Sequence, residues 1–168
     1  MKKILHIALF FLSTFLFTGC KYYSYTGGST GSAKTIQVDF FPNQAQLIEP
    51  TLSQEFTLEL QDLFTRQTNL TLVSSNGDLY FSGEIVSYRI APMSATSKQT
   101  SAQNRLTITV SVRYVNTTEE DKDFDQSFSF YSDYPANSQL SGGVLEAAFK
   151  EIIERITQDI FNASVGKW

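Results

Sequence analysis

Apolar and polar residues alternate with a period of two in several separate segments of the chain. Such alternation is typical of strands that pack one face against a core and leave the other face in water. The clearest case is residues 105–115, whose apolar positions are Leu106, Ile108, Val110 and Val112. The pattern also predicts strands at residues 34–41, 70–73, 79–90 and 124–134. In the first of these, the side chains expected to face the core are Ile36, Val38 and Phe40.

The period changes to that of a helix in two places. From Thr51 onward, one helical face collects Leu52, Phe56, Leu60, Leu63 and Phe64. Residues 143–163 give a second amphipathic helix, whose apolar positions are Leu145, Ala148, Phe149, Ile152, Ile153, Ile156 and Ile160. Apolar side chains at these spacings form a stripe that faces a core.

The order of elements is strand, helix, about four strands, helix. This order predicts an α+β fold, a two-layer sandwich with two amphipathic helices on one face of a roughly four- to five-stranded, mostly antiparallel sheet. The helices would cover the apolar side of the sheet. The side rich in threonine, serine and arginine would then face something polar.

Turn residues divide the predicted strands. Asn76-Gly77 predicts a hairpin, because both residues accept positive φ. Gly83 interrupts a strand, which indicates a bulge or a close backbone approach. The composition of residues 91–104 predicts a loop.

The N-terminus has the pattern of a secretory signal. Met1-Lys2-Lys3 is cationic, and residues 4–17 are almost entirely apolar but shorter than the roughly 20 residues of a membrane span. The exit, Thr18-Gly19-Cys20, resembles a bacterial lipoprotein signal, which implies that Cys20 is lipidated and becomes the new N-terminus. The alternative is a buried cysteine in an uncleaved helix. The lipoprotein hypothesis divides the chain into a signal peptide (residues 1–19), a lipidated flexible tether (20–33) and a single α+β domain (34–168), tied to a membrane through N-terminal acyl chains.

Cleavage at this site would restrict the possible chemistry. The mature chain would have 149 residues and would lose His6, the only histidine. With Cys20 acylated, no thiol or imidazole remains for nucleophilic catalysis, zinc binding or a disulfide. Eleven basic residues would stand against 17 acidic ones, and a net charge of −6 argues against nucleic acid as a partner.

Carboxylates are the remaining candidates for catalysis or metal binding. The acidic run at residues 119–125 has oxygen ligands for calcium but lacks the spacing of an EF-hand, so no metal is expected. Asp39 and Glu84 could face each other as a glycosidase pair, but nothing in the sequence places them in a cleft. We therefore expect no enzymatic activity and no cofactor, and interpret the domain as a binding or assembly module.

Several segments, in order, resemble LptE-like lipopolysaccharide-assembly lipoproteins of the Bacteroidetes type. They are "YSYTGGS", "TIQVDFFPNQAQLIEPTLSQEFTLELQDLFTRQTNLTLV", "GDLYFSGEIVSYRIAP", "NRLTITVSVRYVN" and "QDIFNASVGKW". The resemblance implies a periplasm-facing lipoprotein, anchored in the outer membrane, that plugs and supports a large β-barrel translocon (LptD-like) and helps to deliver lipopolysaccharide. The alternatives are a carboxylate-dependent enzyme of envelope glycan or lipid, and an unrelated structural or adaptor lipoprotein.

Lipopolysaccharide carries phosphates and carboxylates, so a protein that contacts it should offer arginine or lysine near a polar loop. The candidate contact residues are Arg89, Lys98 and Arg105, at the ends and in the middle of the predicted loop 91–104. Strand pairing should bring Arg89 and Arg105 close together. The alternative is that these cations keep the loop soluble or pair with acids of the barrel.

Overall fold

The computed structural model describes residues 28–47, 49–93 and 102–166. Two helices lie on one face of a five-stranded sheet, which confirms the predicted α+β class. The elements, in chain order, are β1 (Thr35–Val38), α1 (Leu52–Gln67), β2 (Thr71–Leu72), β3 (Leu79–Met93), β4 (Gln103–Asn116), β5 (Phe124–Pro135) and α2 (Gly143–Val165), with one 3-10 turn (Glu120–Lys122) between β4 and β5.

The sheet is mixed, with the strand order β2-β1-β3-β4-β5. The long strands β3, β4 and β5 form an antiparallel meander, as predicted. The short strand β1 lies parallel to both β2 and β3. The prediction of a mostly antiparallel sheet is therefore roughly right, and the parallel part is confined to the two pairings that β1 makes.

Both helices pack on the sheet face formed by the predicted apolar positions. Leu106, Ile108, Val110 and Val112 of β4 are all buried. Phe64 of α1 joins the two layers, because its ring lies 4.9 Å from that of Phe81 on β3 and 5.1 Å from that of Phe161 on α2. Phe-to-Ala changes in cores of this kind cost about 3–5 kcal/mol, so this aromatic contact is a main source of the domain's stability.

The hairpin prediction at Asn76-Gly77 is wrong. Both β2 and β3 pair in parallel with β1, on its two sides, so residues 73–78 must cross β1 to reach β3. Asn76 does adopt positive φ (55°). Gly77 lies against the strand it crosses, where an added Cβ would be 2.6 Å from Gln37 N. The local signal was correct, but the turn serves a crossing instead of a hairpin.

The predicted first strand is too long. β1 ends at Val38, and the next residues leave the alternation, so Phe40 is 61% exposed while Phe41 is fully buried. The cause is a contact with α1. Phe41 N donates to Thr57 Oγ1 (3.1 Å), and the Phe41 ring packs edge-on against Phe56 at 5.2 Å.

The close approach predicted at Gly83 is confirmed. An added Cβ there would lie 2.0 Å from Ser111 O on β4 and 2.7 Å from the ring of Phe41. A register shift between Ile85 and Ser87 follows shortly after it. Glycine is therefore required at this position of β3, which the backbone of β4 and the ring of Phe41 both approach closely.

The predicted loop 91–104 is shorter than expected. β3 and β4 remain paired to their ends, with Pro92 opposite Asn104 and Met93 opposite Gln103. The polar composition of residues 91–104 concealed this pairing, because strand pairing uses backbone groups and continues past the last alternating side chains.

Candidate functional site

The sheet face opposite the helices is mostly polar; we call it the open face. Successive residues of a strand point to opposite sides, so the buried positions of β3, β4 and β5 fix which side chains lie here. On β4 they are Arg105, Thr107, Thr109, Ser111 and Arg113; on β3 they are Tyr80, Ser82, Glu84 and Arg89; on β5 they are Asp125, Ser127, Ser129, Tyr131 and Asp133. This is the threonine, serine and arginine face that the alternation predicts.

Arg105 is held by its neighbour on β5. Its Nε and Nη2 atoms donate to the two carboxylate oxygens of Asp133 at 2.7 and 2.8 Å. Its guanidinium also lies 3.5 Å from the ring centre of Tyr131. The hydrogen bonds from Arg105 hold the pKa of the Asp133 carboxyl below its usual value. Arg105 is therefore already neutralised within the open face.

Arg89 lies near Arg105 but has no such partner among the residues that the structure describes. Arg89 pairs across the strands with Thr107, and Arg105 pairs with Ala91, so the two arginines are diagonal neighbours on the same face. The side chain of Arg89 is exposed. The sequence analysis thus placed the two residues together correctly, whereas Lys98, the third candidate, lies outside the described residues.

A groove beside Arg89 runs along the side of β3 that β1 does not cover. Its volume is about 450 Å³, and it is lined by Gln46, Leu47, Val86, Ser87, Tyr88, Arg89 and Ile90. Leu47 is 54% exposed and Ile90 is 40% exposed. A cation next to exposed apolar side chains suits a ligand that has both an anionic group and an acyl chain.

Sequence analysis did not predict this groove. Leu47 falls in a proline-bounded turn with no periodicity of its own. It reaches β3 because the segment before α1 runs alongside that strand, with Gln44 N donating to Ile85 O at 2.9 Å. One signal was available in the sequence. Val86 directly follows Ile85 and so interrupts the alternation of apolar and polar residues, at the position of the register shift.

The two carboxylates considered as a glycosidase pair are placed differently. Asp39 accepts hydrogen bonds from Tyr80 Oη (2.6 Å) and from Gln37 Nε2 (2.9 Å). The bond to Asp39 raises the pKa of the Tyr80 hydroxyl above its usual value. Glu84 is exposed on the open face. Asp39 therefore orders the start of the sheet.

The acidic run after β4 also has structural partners. Asp123 Oδ1 accepts from the backbone N–H of Asn116 (2.7 Å), and Glu119 forms an ion pair with Lys122 at 2.9 Å. Within the described ranges, no three histidine, cysteine or acidic side chains are grouped so that they could hold a metal ion. These contacts shape the connection between β4 and β5.

Solved structures of two lipoproteins and of a hypothetical protein share this architecture. The chain resembles lipoprotein B of Nitrosomonas europaea with a TM-score of 0.50, 13% identity and coverage of 83% of this chain and 87% of that one. A minor lipoprotein of Acinetobacter baumannii has a TM-score of 0.50 and 14% identity, with coverage of 81% of this chain and 98% of that one. Protein CT253 of Chlamydia trachomatis has a TM-score of 0.54 and 8% identity, with coverage of 79% of this chain and 98% of that one. At these identities the likeness shows the fold alone. No curated protein is similar enough in sequence to count as a match.

The sequence itself decides the family. Residues 33–164 match the family model LptE, described as lipopolysaccharide-assembly. The chain belongs to the LptE family. An LptE protein is a non-enzymatic lipopolysaccharide-assembly lipoprotein, and the family works in lipopolysaccharide transport with a translocon. The predicted family resemblance and the predicted absence of enzymatic activity are both confirmed.

Neither helix in the described part of this LptE protein is both long and apolar enough to cross a membrane. Cys20, the predicted lipidation residue, and the whole predicted signal lie outside the described residues. The structure does record where the chain emerges from that segment. Gly28 forms a bridge with Gly166, and Ser29 N donates to Val165 O (2.6 Å) at the C-terminal end of α2.

Proposed function

We propose that this protein is an outer-membrane-anchored, periplasm-facing lipoprotein that plugs and supports an LptD-like β-barrel translocon. The observation that carries the proposal is the open face, a broad sheet surface of hydroxyl, arginine and carboxylate side chains opposite the helix layer. The interior of an outer-membrane barrel is polar. A domain with one polar sheet face complements such an interior without burying unpaired apolar surface.

The proposal includes attachment to the membrane through acyl chains on Cys20. One acyl chain gives only marginal membrane binding, and stable anchoring needs more than one. A lipidated cysteine followed by a short tether would keep the domain next to the barrel. Membership of a lipoprotein family supports this part of the proposal.

Contact with lipopolysaccharide is the second part. Arg89, Lys98 and Arg105 remain the proposed contact residues, and the groove beside Arg89 supports the first of them most strongly. Arg89 is exposed and lies next to Leu47 and Ile90, which could receive an acyl chain. Arg105 contributes less, because Asp133 already neutralises it.

Co-purification tests this function. The lipidated, affinity-tagged chain is recovered from detergent-solubilised envelopes of its own host. The expected result is a large β-barrel protein in stoichiometric amount. Recovery of the chain without any barrel, from envelopes in which it is expressed at its natural level, would contradict the proposal.

A further inference from the structure

Among the described residues, the strand β5 is one edge of the sheet and pairs with β4 alone. Every second residue of an edge strand points its N–H and C=O groups away from the sheet, so this edge presents a row of free backbone donors and acceptors. Its pairing with β4 shows no register shift from Phe124 to Pro135. The free edge of β5 is therefore regular along its length.

The middle of this edge lacks the features that block strand addition. Edge strands are usually protected by charges, proline or bulges. In β5 the residues of this kind, Asp125, Asp133 and Pro135, lie toward its two ends. Residues 126–131, Gln-Ser-Phe-Ser-Phe-Tyr, contain no charge, proline or glycine. Beyond Ile85, β3 also pairs with β4 alone among the described residues, but that edge carries a register shift, Arg89 and Pro92.

A groove of about 560 Å³ runs between β5 and α2. The ring of Phe130 contributes an apolar surface to it, and charged side chains of α2 line the other wall. Two cations of this wall have partners within the chain, because Lys150 faces Glu154 at 3.9 Å and Arg155 faces Asp159 at 3.4 Å. Glu151 keeps its charge and accepts from Ser132 Oγ at 2.5 Å. The apolar contact that the groove offers is the Phe130 ring, with the Arg155 guanidinium 5.7 Å from its centre, and it suits an uncharged apolar or aromatic side chain.

A free strand edge next to a groove of this kind is the arrangement used in β-strand addition. The main-chain hydrogen bonds of the edge supply affinity, and the groove accepts alternate side chains of the added segment. An extended polypeptide is the ligand whose chemistry matches both features. A closed barrel has no free strand edge of its own, but its loops can fold into the lumen.

We propose that the edge of β5 accepts an extended, uncharged loop segment of the barrel partner as a sixth strand, with one of its apolar side chains over Phe130. This inference rests on the proposed function, because it takes the barrel as the source of the segment. It goes beyond that function by naming the surface that makes the specific backbone contact. The open face would then lie against the barrel interior without a strand-to-strand bond.

Site-specific photo-crosslinking in the purified complex tests the geometry. A photoreactive amino acid replaces Asp125, Ser127 or Ser129, one at a time, in the full lipidated chain. These three side chains lie two residues apart on the same face of β5. If a strand has been added, the three crosslinks fall within one barrel segment and advance along it in steps of two residues. Crosslinks scattered over several barrel segments would overturn the proposal.

A pair of variants tests the contribution of the edge to binding. Gln126→Lys adds charge to the unprotected stretch without touching the open face, because Gln126 pairs with the buried Val112, and lysine on an edge opposes strand pairing. The barrel recovered per lipoprotein should fall by roughly tenfold, which corresponds to about 1.4 kcal/mol. Gln126→Thr keeps the edge uncharged and should leave recovery unchanged. Ser74→Lys, at an exposed residue in the segment that crosses β1, controls for the added charge.

The outcomes separate this inference from the proposed function. Loss of the barrel in the edge lysine variant alone, with the circular dichroism spectrum retained, supports the β5 proposal. Equal recovery from all variants overturns it and leaves the plug function intact. Crosslinks between two copies of this chain also overturn it, because the occupant would then be a second protomer. Absence of any barrel with the unmodified chain contradicts both.

Discussion

Two arginines that look equivalent in the sequence have different environments in the structure. Arg105 donates to both carboxylate oxygens of Asp133 and stacks on Tyr131. Arg89 is exposed beside Leu47 and Ile90. Strand alternation predicts that the two share a face, but it does not predict the capture of Arg105, because Asp133 lies 28 residues further along the chain. A free cation and a neutralised one should differ in their effect on an anionic ligand.

Replacement of these cations tests their roles in lipopolysaccharide contact. Arg89→Gln should weaken binding of purified lipopolysaccharide by up to about fivefold, since an exposed ion pair contributes ~0.2–1 kcal/mol. Arg105→Gln should weaken binding less. The triple replacement of Arg89, Lys98 and Arg105 by Gln should give the largest loss, measured at low salt where screening is weakest.

Arg113→Gln provides the matched control for this series. It removes the same charge from the same face, at a position paired with Asp125. Binding should not change in this variant. Unaltered binding in the triple variant, with an intact circular dichroism spectrum, would rule out this group of residues as the contact site.

At the scale of elements, local sequence patterns predicted which segments are strands and which are helices. They did not predict the order of the strands in the sheet or how the chain connects them. The alternation in β4 predicted its buried and polar faces residue by residue, because both faces follow from one backbone geometry. Asn76-Gly77 predicted a tight turn and could not reveal that β1 lies between β2 and β3. Phe41 is buried instead of Phe40, because the regular strand has ended there and the Phe41 backbone N–H donates to Thr57 of α1. Topology and strand ends depend on contacts that are distant in sequence.

Gly77→Ala tests the crossing over β1. The added Cβ would meet Gln37 N at 2.6 Å and Leu79 O at 2.9 Å, and these backbone atoms cannot move aside easily. Overpacking of this kind costs about 1–3 kcal/mol, so the free energy of unfolding in urea should fall by that amount. Gly143→Ala is the control, because nothing lies within 4 Å of its added Cβ and alanine favours a helix. Equal stability of the Gly77→Ala variant would contradict the crossing.

The carboxylate of Asp78 binds the same crossing segment to the start of β1. This contact predicts that the stability of the fold depends on pH. Its Oδ2 atom accepts from the backbone N–H groups of Lys34 (2.8 Å) and Thr35 (3.0 Å). These hydrogen bonds lower the pKa of the Asp78 carboxyl, and the one from the Lys34 backbone contributes most. A lowered pKa in the folded state stabilises the fold above the unfolded-state pKa of about 3.9, and this stabilisation is lost as the pH falls through the folded-state pKa.

Melting temperatures of the wild type and of Asp78→Asn therefore give the test. The variant should melt lower at about pH 6, and the difference should shrink as the pH falls below the unfolded-state pKa of about 3.9 toward the lowered folded-state pKa. Asp121→Asn, an exposed carboxylate in the turn after β4, controls for the loss of a surface charge. A difference between wild type and Asp78→Asn that is constant from pH 6 to pH 3 would exclude the proposed role of the carboxylate.

At the scale of the whole molecule, the chain emerges from its N-terminal segment at the end opposite the candidate lipid groove. Gly28 lies at the C-terminal end of α2, beside Gly166. Tyr88, next to Arg89, packs on Phe149 near the start of the same helix at 6.2 Å. The sixteen helical rises from Phe149 to Val165 span roughly 24 Å. Gly28, the first described residue after the predicted signal, and the groove beside Arg89 therefore lie toward opposite ends of α2.

Cys20→Ala tests the attachment. The variant should lose metabolic labelling by fatty acid and should leave a precursor or a soluble, differently processed protein, because the acylated thiol is absent. Envelope fractionation with labelled palmitate provides the measurement, and Cys20→Ser provides a second thiol-free variant. Fatty-acid labelling that persists at the N-terminus of either variant would show that the lipoprotein assignment is wrong.

The most direct test of the central claim is the accessibility of the open face inside the complex. Glu84→Cys places a thiol on an exposed position of that face, in a mature chain whose own Cys20 would be acylated. We expect a bulky polymer-linked maleimide to label this thiol rapidly in the purified free protein and to leave it unlabelled in the protein co-purified with its barrel. Equal labelling of the free and the barrel-bound protein would contradict the account, because the open face would not then lie against the barrel interior.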